Sequence, residues 1–446
     1  MTPDELGDRL QDLLRRVLDD PSLEIGALRR LTGGASRETW SFDAGGDRFV
    51  LQRERTGSPR TGAMAIEATM LRAAARAGVP VPPLVSASGE PGELGAGYLV
   101  SRFVDGETIA RKILRDDDFA GARGRLAGDC GRALAAIHSV RTDAVPGLER
   151  TDQVARFRQV LDDVGDPHPT FEHAFGWLER NRPPASGDAI VHGDFRLGNL
   201  MVRPDGLAAV IDWELAHLGD PMEDLGWLCT RAWRFGSDQP VAGVGSYDEL
   251  FDAYAEASAR PVDRDVVRWW EVLGTLKWGI MCIMQARAHL AGLSRSMELA
   301  AIGRRVCENE HDLLLLLEPE ALSAAVARPV PEAEDRAGLH GRPTAAELLE
   351  AVREWVVGDV REAATGRVAF HSRVAGNVLS MLEREATMGP AMDADHRRRL
   401  ASLGVVDDHG FAAGVRDGTL SGDDVVRAMA ESVVDRLRVA NPRWFA

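Results

Sequence analysis

Lysine is nearly absent from this 446-residue chain: Lys112 and Lys277 are its two lysines, and its other basic residues are arginines. Any task that calls for a lysine before residue 112 must therefore fall to another side chain. Cysteine is scarce as well. Cys130, Cys229, Cys282 and Cys307 form no Cys-x-x-Cys pair and sit in apolar surroundings that read as helical. They read as buried, reduced thiols rather than a disulfide framework. Long hydrophobic runs are missing: the most apolar helical stretch, 272–284, is interrupted by Lys277 and is too short to span a bilayer. The first residues, Met1-Thr-Pro-Asp-Glu-Leu, are acidic and carry no apolar signal core, so a cytoplasmic location is expected. Positive charge is in deficit, with a net charge of -16. That argues against a general nucleic-acid or anionic-membrane binder and leaves room for a local basic pocket. No internal repeat or low-complexity tract stands out.

What remains is ordinary for a globular chain of two or three domains: 45% hydrophobic and 27% charged residues. The informative stretch runs from Val191 to Glu214. It reads as strand, polar loop, strand, turn at Pro204-Asp205-Gly206, strand, and then Asp212. Asp194, Asn199 and Asp212 fall where apolar runs stop and are expected to converge at strand ends. An Asp, an Asn five residues on, and a second Asp after a hairpin suit phosphoryl transfer. Asp194 would orient or accept the proton of an acceptor hydroxyl. Asn199 and Asp212 would hold Mg2+, which takes oxygen ligands and bridges nucleotide phosphates. A β-hairpin with ordinary turn polars accounts for one such residue, not readily for three at this spacing beside His192.

His192-Gly-Asp-x-x-x-x-Asn199 followed by Ile211-Asp-Trp-Glu214 resembles the aminoglycoside phosphotransferase and choline kinase superfamily. The longer text from Ile211 to Trp227 is similar to the branch found beside, or fused to, acyl-CoA dehydrogenases. The resemblance implies an α+β, bilobal protein-kinase-like fold with a small β-sheet lobe over 1–104 and a mainly helical lobe over 105–325. A linker at 326–341 and an all-α domain at 342–446 follow. Ala369 to Asn377 and Ala440 to Ala446 resemble an uncharacterised helical domain that accompanies this kinase branch. The resemblance also implies ATP or another nucleoside triphosphate with Mg2+, a small-molecule hydroxyl as acceptor, a hydroxyacyl-CoA or related hydroxy acid among the candidates, and an acyl-CoA dehydrogenase as partner. A homodimer is admitted.

A helix over 4–18 precedes strands expected at 23–31, 38–43 and 48–52. Between the first two lie Gly33, Gly34, Ala35 and Ser36, where adjacent glycines let backbone amides approach phosphate closely. The family often has Asn after that Ser; here it is Arg37. Kinases place a lysine on the third strand, paired with a helix glutamate. The slot here holds Gln52 and Arg53. Either Gln52 serves as a neutral donor, or a bulge turns Arg53 inward. Glu67, on a helix over 61–77, is the expected partner of that strand-three residue, against the alternative of a solvated glutamate. Arg102, Phe103 and Val104 lie in a stretch that resembles the hinge holding adenine through its backbone.

Helices are expected at 119–140, 154–164 and 168–180, with His138 packed as a structural residue. His192 is architectural by resemblance. Arg196 either neutralises the transferred phosphoryl group or is an exposed loop arginine. Glu214 stands behind the metal residues. Asp220 reads as a helix cap before Pro221, and Asp224 as loop support. Further helices are expected at 222–233, 247–259, 264–290, 297–317, 345–364, 367–388 and 423–439. Trp270, Lys277 and Trp278 mark an apolar surface with one cation. Core packing explains the aromatic spacing, and an anionic acyl acceptor, with Lys277 as counter-charge, suits it better than a polycationic aminoglycoside. Two rival functions stay open: an aminoglycoside- or macrolide-type antibiotic kinase, and a nucleotide-binding pseudokinase scaffold.

Overall fold

The computed structural model describes residues 2–26, 28–31, 37–55, 62–332, 339 and 341–445. Helix α1 (Pro3–Val17) starts at a capping box in which the Thr2 hydroxyl accepts from Glu5 N and the Glu5 carboxylate accepts from Thr2 N. Its leucines 6, 10, 13 and 14 recur at helical spacing and are buried. Strands β1 (Arg29–Leu31), β2 (Arg37–Ala44), β3 (Asp47–Glu54), β4 (Leu84–Ser88) and β5 (Tyr98–Arg102) form one antiparallel sheet in the order β1-β2-β3-β5-β4. The α1 leucines cover one face, over Trp40, Phe42, Phe49, Leu51, Tyr98 and Val100. Helix α2 (Ala63–Arg76), between β3 and β4, covers the other with Met64, Ala68 and Leu71 alongside Leu99. Alternation along each strand sorts the two sets.

Helices α3 (Ala110–Arg115), α4 (Ala120–His138), α5 (Gln153–Val164) and α6 (Pro169–Arg180) follow. Strand β6 (Ala189–Val191) pairs with β9 (His217–Gly219), and β7 (Leu200–Arg203) pairs with β8 (Gly206–Val210), both antiparallel. Then come α7 (Met222–Cys229), α8 (Tyr247–Ser258) and α9 (Arg264–Leu290). Helix α7 stops four residues before the expected 233, and a 3-10 turn at Arg231–Arg234 replaces its end. The single helix expected over 297–317 is two, α10 (Met297–Gly303) and α11 (Val306–Leu317). Helix α12 (Pro319–Val326) begins with proline in its first turn, where no N–H is missed.

The chain continues through α13 (Ala345–Trp355), a π-helical turn at Val356–Val360, α14 (Arg361–Ala363), α15 (Gly366–Ser402), α16 (Asp408–Asp417) and α17 (Asp423–Ala440). Helix α15 passes Pro390 instead of ending near 388. Burial of Met392 and Leu400 beyond the proline sustains the helix past the backbone hydrogen bond that Pro390 cannot donate.

Two compact units result, each from two stretches: Met1–Thr151 with Pro183–Glu271, and Asp152–Arg182 with Val272–Ala446. The first holds the five-stranded sheet, both two-stranded sheets and α4, α7 and α8, with one core on the α2 side of the five-stranded sheet and another between that sheet and α1. In the second, Leu314 of α11 and Leu322 and Ala325 of α12 are buried in one cluster with Ala430, Val433 and Val434 of α17. No helix among the described residues is long and apolar enough to cross a membrane.

Candidate active site

The polar loop leaves β6 through a turn only glycine makes without strain. Gly193 has φ +78°, and a Cβ there would stand 2.4 Å from the Leu215 carbonyl oxygen. Asp224, fully buried near the start of α7, collects the backbone around it: His192 N at 2.7 Å and Gly193 N at 2.9 Å. His138 of α4 lies 3.1 Å from Asp224 through Nε2, and its Nδ1 lies 2.9 Å from the Tyr254 hydroxyl. Burial alone would raise the Asp224 pKa, but the His138 hydrogen bond and charge, with the donors from His192, hold it below its ordinary value. His192 is buried too. Its Nε2–H donates to the Ile211 carbonyl at 3.1 Å, and its Nδ1 accepts from Asp194 N at 3.2 Å, which assigns a neutral ring. Burial pushes its pKa down. The ring lies 4.6 Å from the Trp213 ring.

These supports set the Asp194 carboxylate. Its Oδ1 accepts from Arg196 Nε and from Trp227 Nε1, both at 3.0 Å, and its Oδ2 accepts from Asn199 Nδ2 at 2.6 Å. Asn199 Nδ2 also reaches the Asp194 carbonyl at 2.9 Å, so its Oδ1 is the atom left to accept elsewhere. Arg196 is braced by the Trp233 ring, 4.8 Å from its guanidinium carbon. The sequence assigned no role to Trp227; its signal was helical spacing, three residues past Asp224 on the same face of α7.

Asp212 follows β8 with φ +67°, a conformation that Asp tolerates better than most residues. Ile211 N donates to the Asn199 carbonyl at 3.0 Å, tying this bend to the loop. Burial, then the negative charge of Glu214, raise the Asp212 pKa to about 6 against the pull of Arg37. No hydrogen bond is given to its carboxylate among the described residues.

On the sheet side, the β2–β3 register runs unbroken from Arg37↔Glu54 to Ala44↔Asp47. There is no bulge. Arg53 therefore stays on the α1 face with Phe49 and Leu51, buried, 3.2 Å from Glu38. This corrects the inward turn allowed above for Arg53. Gln52 lies opposite Thr39 and Leu99, on the α2 face. Neither is the cation on Glu67. That cation is Arg37, the first residue of β2. Its Nη1 donates to Glu67 Oε1 at 2.9 Å, its Nη2 lies 2.6 Å from Oε2, and Nη2 also reaches Glu214 Oε2 at 3.4 Å. The sequence noted Arg37 as a departure but drew no role from it.

Gly33, Gly34, Ala35 and Ser36 lie outside the described residues. Arg102 pairs with Asp47, and its N–H goes to Pro83 O. Phe103 N–H goes to Arg48 O, so neither N–H is available to a base, and the backbone of Val104 makes no hydrogen bond among the described residues. Pro221 already has helical backbone angles, and Asp220 before it caps the first turn of α7: its carboxylate accepts from Met222 N at 2.9 Å, and from Ser186 N at 2.6 Å. Trp270 belongs to the first unit. Lys277 and Trp278 belong to the second, where Lys277 is buried with Nζ 5.9 Å from the Phe157 ring centre.

A small antiparallel sheet with its helix glutamate, a carboxylate loop and a second carboxylate behind a hairpin together define a kinase-like phosphotransferase. The model of the Phosphotransferase enzyme family matches residues 27–270, and the chain belongs to that family. Residues 362–444 match a Domain of unknown function (DUF6285). Among similar proteins, Acyl-CoA dehydrogenase family member 10 of Mus musculus is 27% identical over 274 residues, 55% of this chain and 25% of the relative. Acyl-CoA dehydrogenase family member 11 of Gallus gallus is 25% identical over 332 residues, 68% of this chain and 40% of the relative. The chain thus spans less than half the length of these relatives. A crystal structure of a candidate aminoglycoside phosphotransferase from Ralstonia eutropha shares the fold, with TM-score 0.57 and 22% identity over 69% of this chain and 97% of that one.

Proposed function

We propose that the chain transfers the γ-phosphoryl group of ATP to the hydroxyl of a small molecule, with a hydroxyacyl-CoA or related hydroxy acid as acceptor. The observation that carries the transfer is the fixing of Asp194 by Arg196, Asn199 and Trp227, with Asp212 near enough to feel its charge. Asp194 orients the acceptor hydroxyl and takes its proton as the bond to phosphorus forms. Arg196, already on Asp194, faces the charge that builds on the transferred group. His192, Gly193 and Asp224 hold the loop; Asp220 ties 186 to the start of α7.

Mg2+ fits the residues present. Asp212 is a half-buried carboxylate that accepts no hydrogen bond among the described residues, and Asn199 turns Oδ1 away from Asp194. Held by Asn199 and Asp212, the ion would offset the negative charge of the phosphates. Two protein oxygens suffice for an ion completed by phosphate and water.

The acceptor class is supported by the relatives named as acyl-CoA dehydrogenases, and an acyl-CoA dehydrogenase, on the same or a separate polypeptide, is the proposed partner. ADP release would be followed with a panel of hydroxyacyl-CoAs and aminoglycosides. Turnover is expected with a hydroxyacyl-CoA, and Asp194→Ala should lower it at least about 100-fold while ATP still binds. Turnover with aminoglycosides alone would favour the antibiotic kinase. ATP binding without transfer to any acceptor would favour the scaffold.

A further inference from the structure

We propose that Arg37 is the residue that clamps the nucleotide phosphates, positioned by Glu67 and Glu214, in place of any side chain on β3. The inference rests on the phosphotransferase reading and adds the one component that reading lacks. The first 111 residues contain no lysine. On β3, the α2 face carries the neutral Gln52 and, at the end away from Arg37, the exposed Arg48, which pairs with Asp43; Arg53 is committed to Glu38 on the opposite face. Cross-strand pairing solves the placement. Gln52 stands opposite Thr39, and Arg37 is two residues along the same face of β2, the diagonal neighbour that long side chains reach. The cation has moved one strand over and keeps its place before α2.

The contacts of Arg37 fit a clamp. Its side chain is 10% exposed and that of Glu67 is 4% exposed, so the pair is held out of bulk water. The Glu67 and Glu214 contacts engage at most three of the five N–H donors of a guanidinium. The Glu214 contact, at 3.4 Å, is long enough to yield to a phosphate oxygen. Glu214 is two residues from Asp212, which places Arg37 between the helix glutamate and the bend proposed to hold the metal. Glu67, Asp194, Asp212 and Glu214 outnumber Arg37 and Arg196, so the surplus negative charge favours a divalent cation, and the phosphates it carries need a positive side chain such as Arg37. A planar fork suits phosphate where a glutamine does not. A purely structural bridge would hold the two glutamates together and be indifferent to how many phosphates a nucleotide carries.

The test is calorimetric titration of the full chain with ATP, ADP and adenosine in the presence of Mg2+. Arg37→Ala is expected to weaken ATP and ADP about 10- to 100-fold and to leave adenosine within about twofold. Arg37→Gln, which keeps a donor to Glu67 without the charge, should behave likewise, and covers the case in which the alanine variant does not fold. Arg37→Lys should recover part of the ATP affinity. Equal losses for ATP and adenosine, or no loss for either in a folded variant, would overturn the assignment and leave the phosphotransferase reading standing. A wild-type chain that binds no nucleotide would overturn both.

Discussion

At the scale of single residues, Asp224 shows how a polar loop is held by a side chain buried away from solvent. Its oxygens take two consecutive backbone N–H groups and face His138, all without exposure to water. Replacing it by asparagine removes the charge and turns an N–H2 toward groups that are themselves donors. We expect Asp224→Asn to cost on the order of 3–5 kcal/mol, as when a buried carboxylate is lost and the donors around it are left unsatisfied, measured by urea unfolding. The pH dependence carries a sign. The folded-state pKa of Asp224 is depressed, so the wild-type contribution is fully present above the ordinary carboxylate range and is lost as pH falls through the lower folded value. The variant should therefore show a flatter fall in stability on the acid side. Parallel acid limbs for the two proteins would count against the pairing. The meeting of Asp194 with Asn199 was legible in the sequence because it follows from their spacing. The job proposed for Arg37 was not, because it depends on which strand lies beside which.

At the scale of elements, the loop is as good as the strand that delivers it. Strand β6 has three residues, and its partner β9, His217–Gly219, is equally short and half polar. No alternation announces such a strand, and its pairing spans 28 residues from Ile190 to Leu218. Longer elements were legible: α9 spans 264–290, the helix expected from periodicity. Where tertiary burial overrides a local breaker, as at Pro390 in α15, the sequence alone ended the helix too early. The β6 exit is the weak point to probe. Gly193→Ala places a methyl group against the Leu215 carbonyl at a φ that alanine avoids. We expect a cost of about 1–3 kcal/mol and a fall in kcat of about 100-fold through displacement of Asp194. ATP affinity should be little changed, since Arg37 sits on another strand. A variant with wild-type kcat would show that the loop does not depend on this turn.

At the scale of the whole molecule, the last hundred residues are part of a core rather than a tail. Helix α17 buries Ala430, Val433 and Val434 in one cluster with Leu314, Leu322 and Ala325, and Leu437 and Ala440 in another with Cys307. Polar contacts repeat the same pairing. Arg436 lies 3.2 Å from buried Glu310, Asn441 donates to Glu308 at 2.8 Å, and Trp444 Nε1 donates to Asp312 at 2.9 Å. Arg438 closes the end of α12 by donating to the carbonyls of Val326 and Pro329, each at 3.2 Å. From sequence, the apolar run 313–317 reads as an ordinary helix face; the partner that it needs lies more than a hundred residues later. The consequence is testable. A chain ending at residue 341 would uncover Leu314 and Leu322, each worth about 1.5–3 kcal/mol of burial, and leave Glu308, Glu310 and Asp312 without their partners from α17 and the turn after it. We expect that chain to unfold at least about 5 °C lower than the full chain, or to elute as aggregate in size-exclusion chromatography. Supplying 342–446 as a separate polypeptide during refolding should recover part of the loss. A monomeric truncated chain with an unchanged midpoint would make the C-terminal helices an appendage and the shared clusters energetically idle.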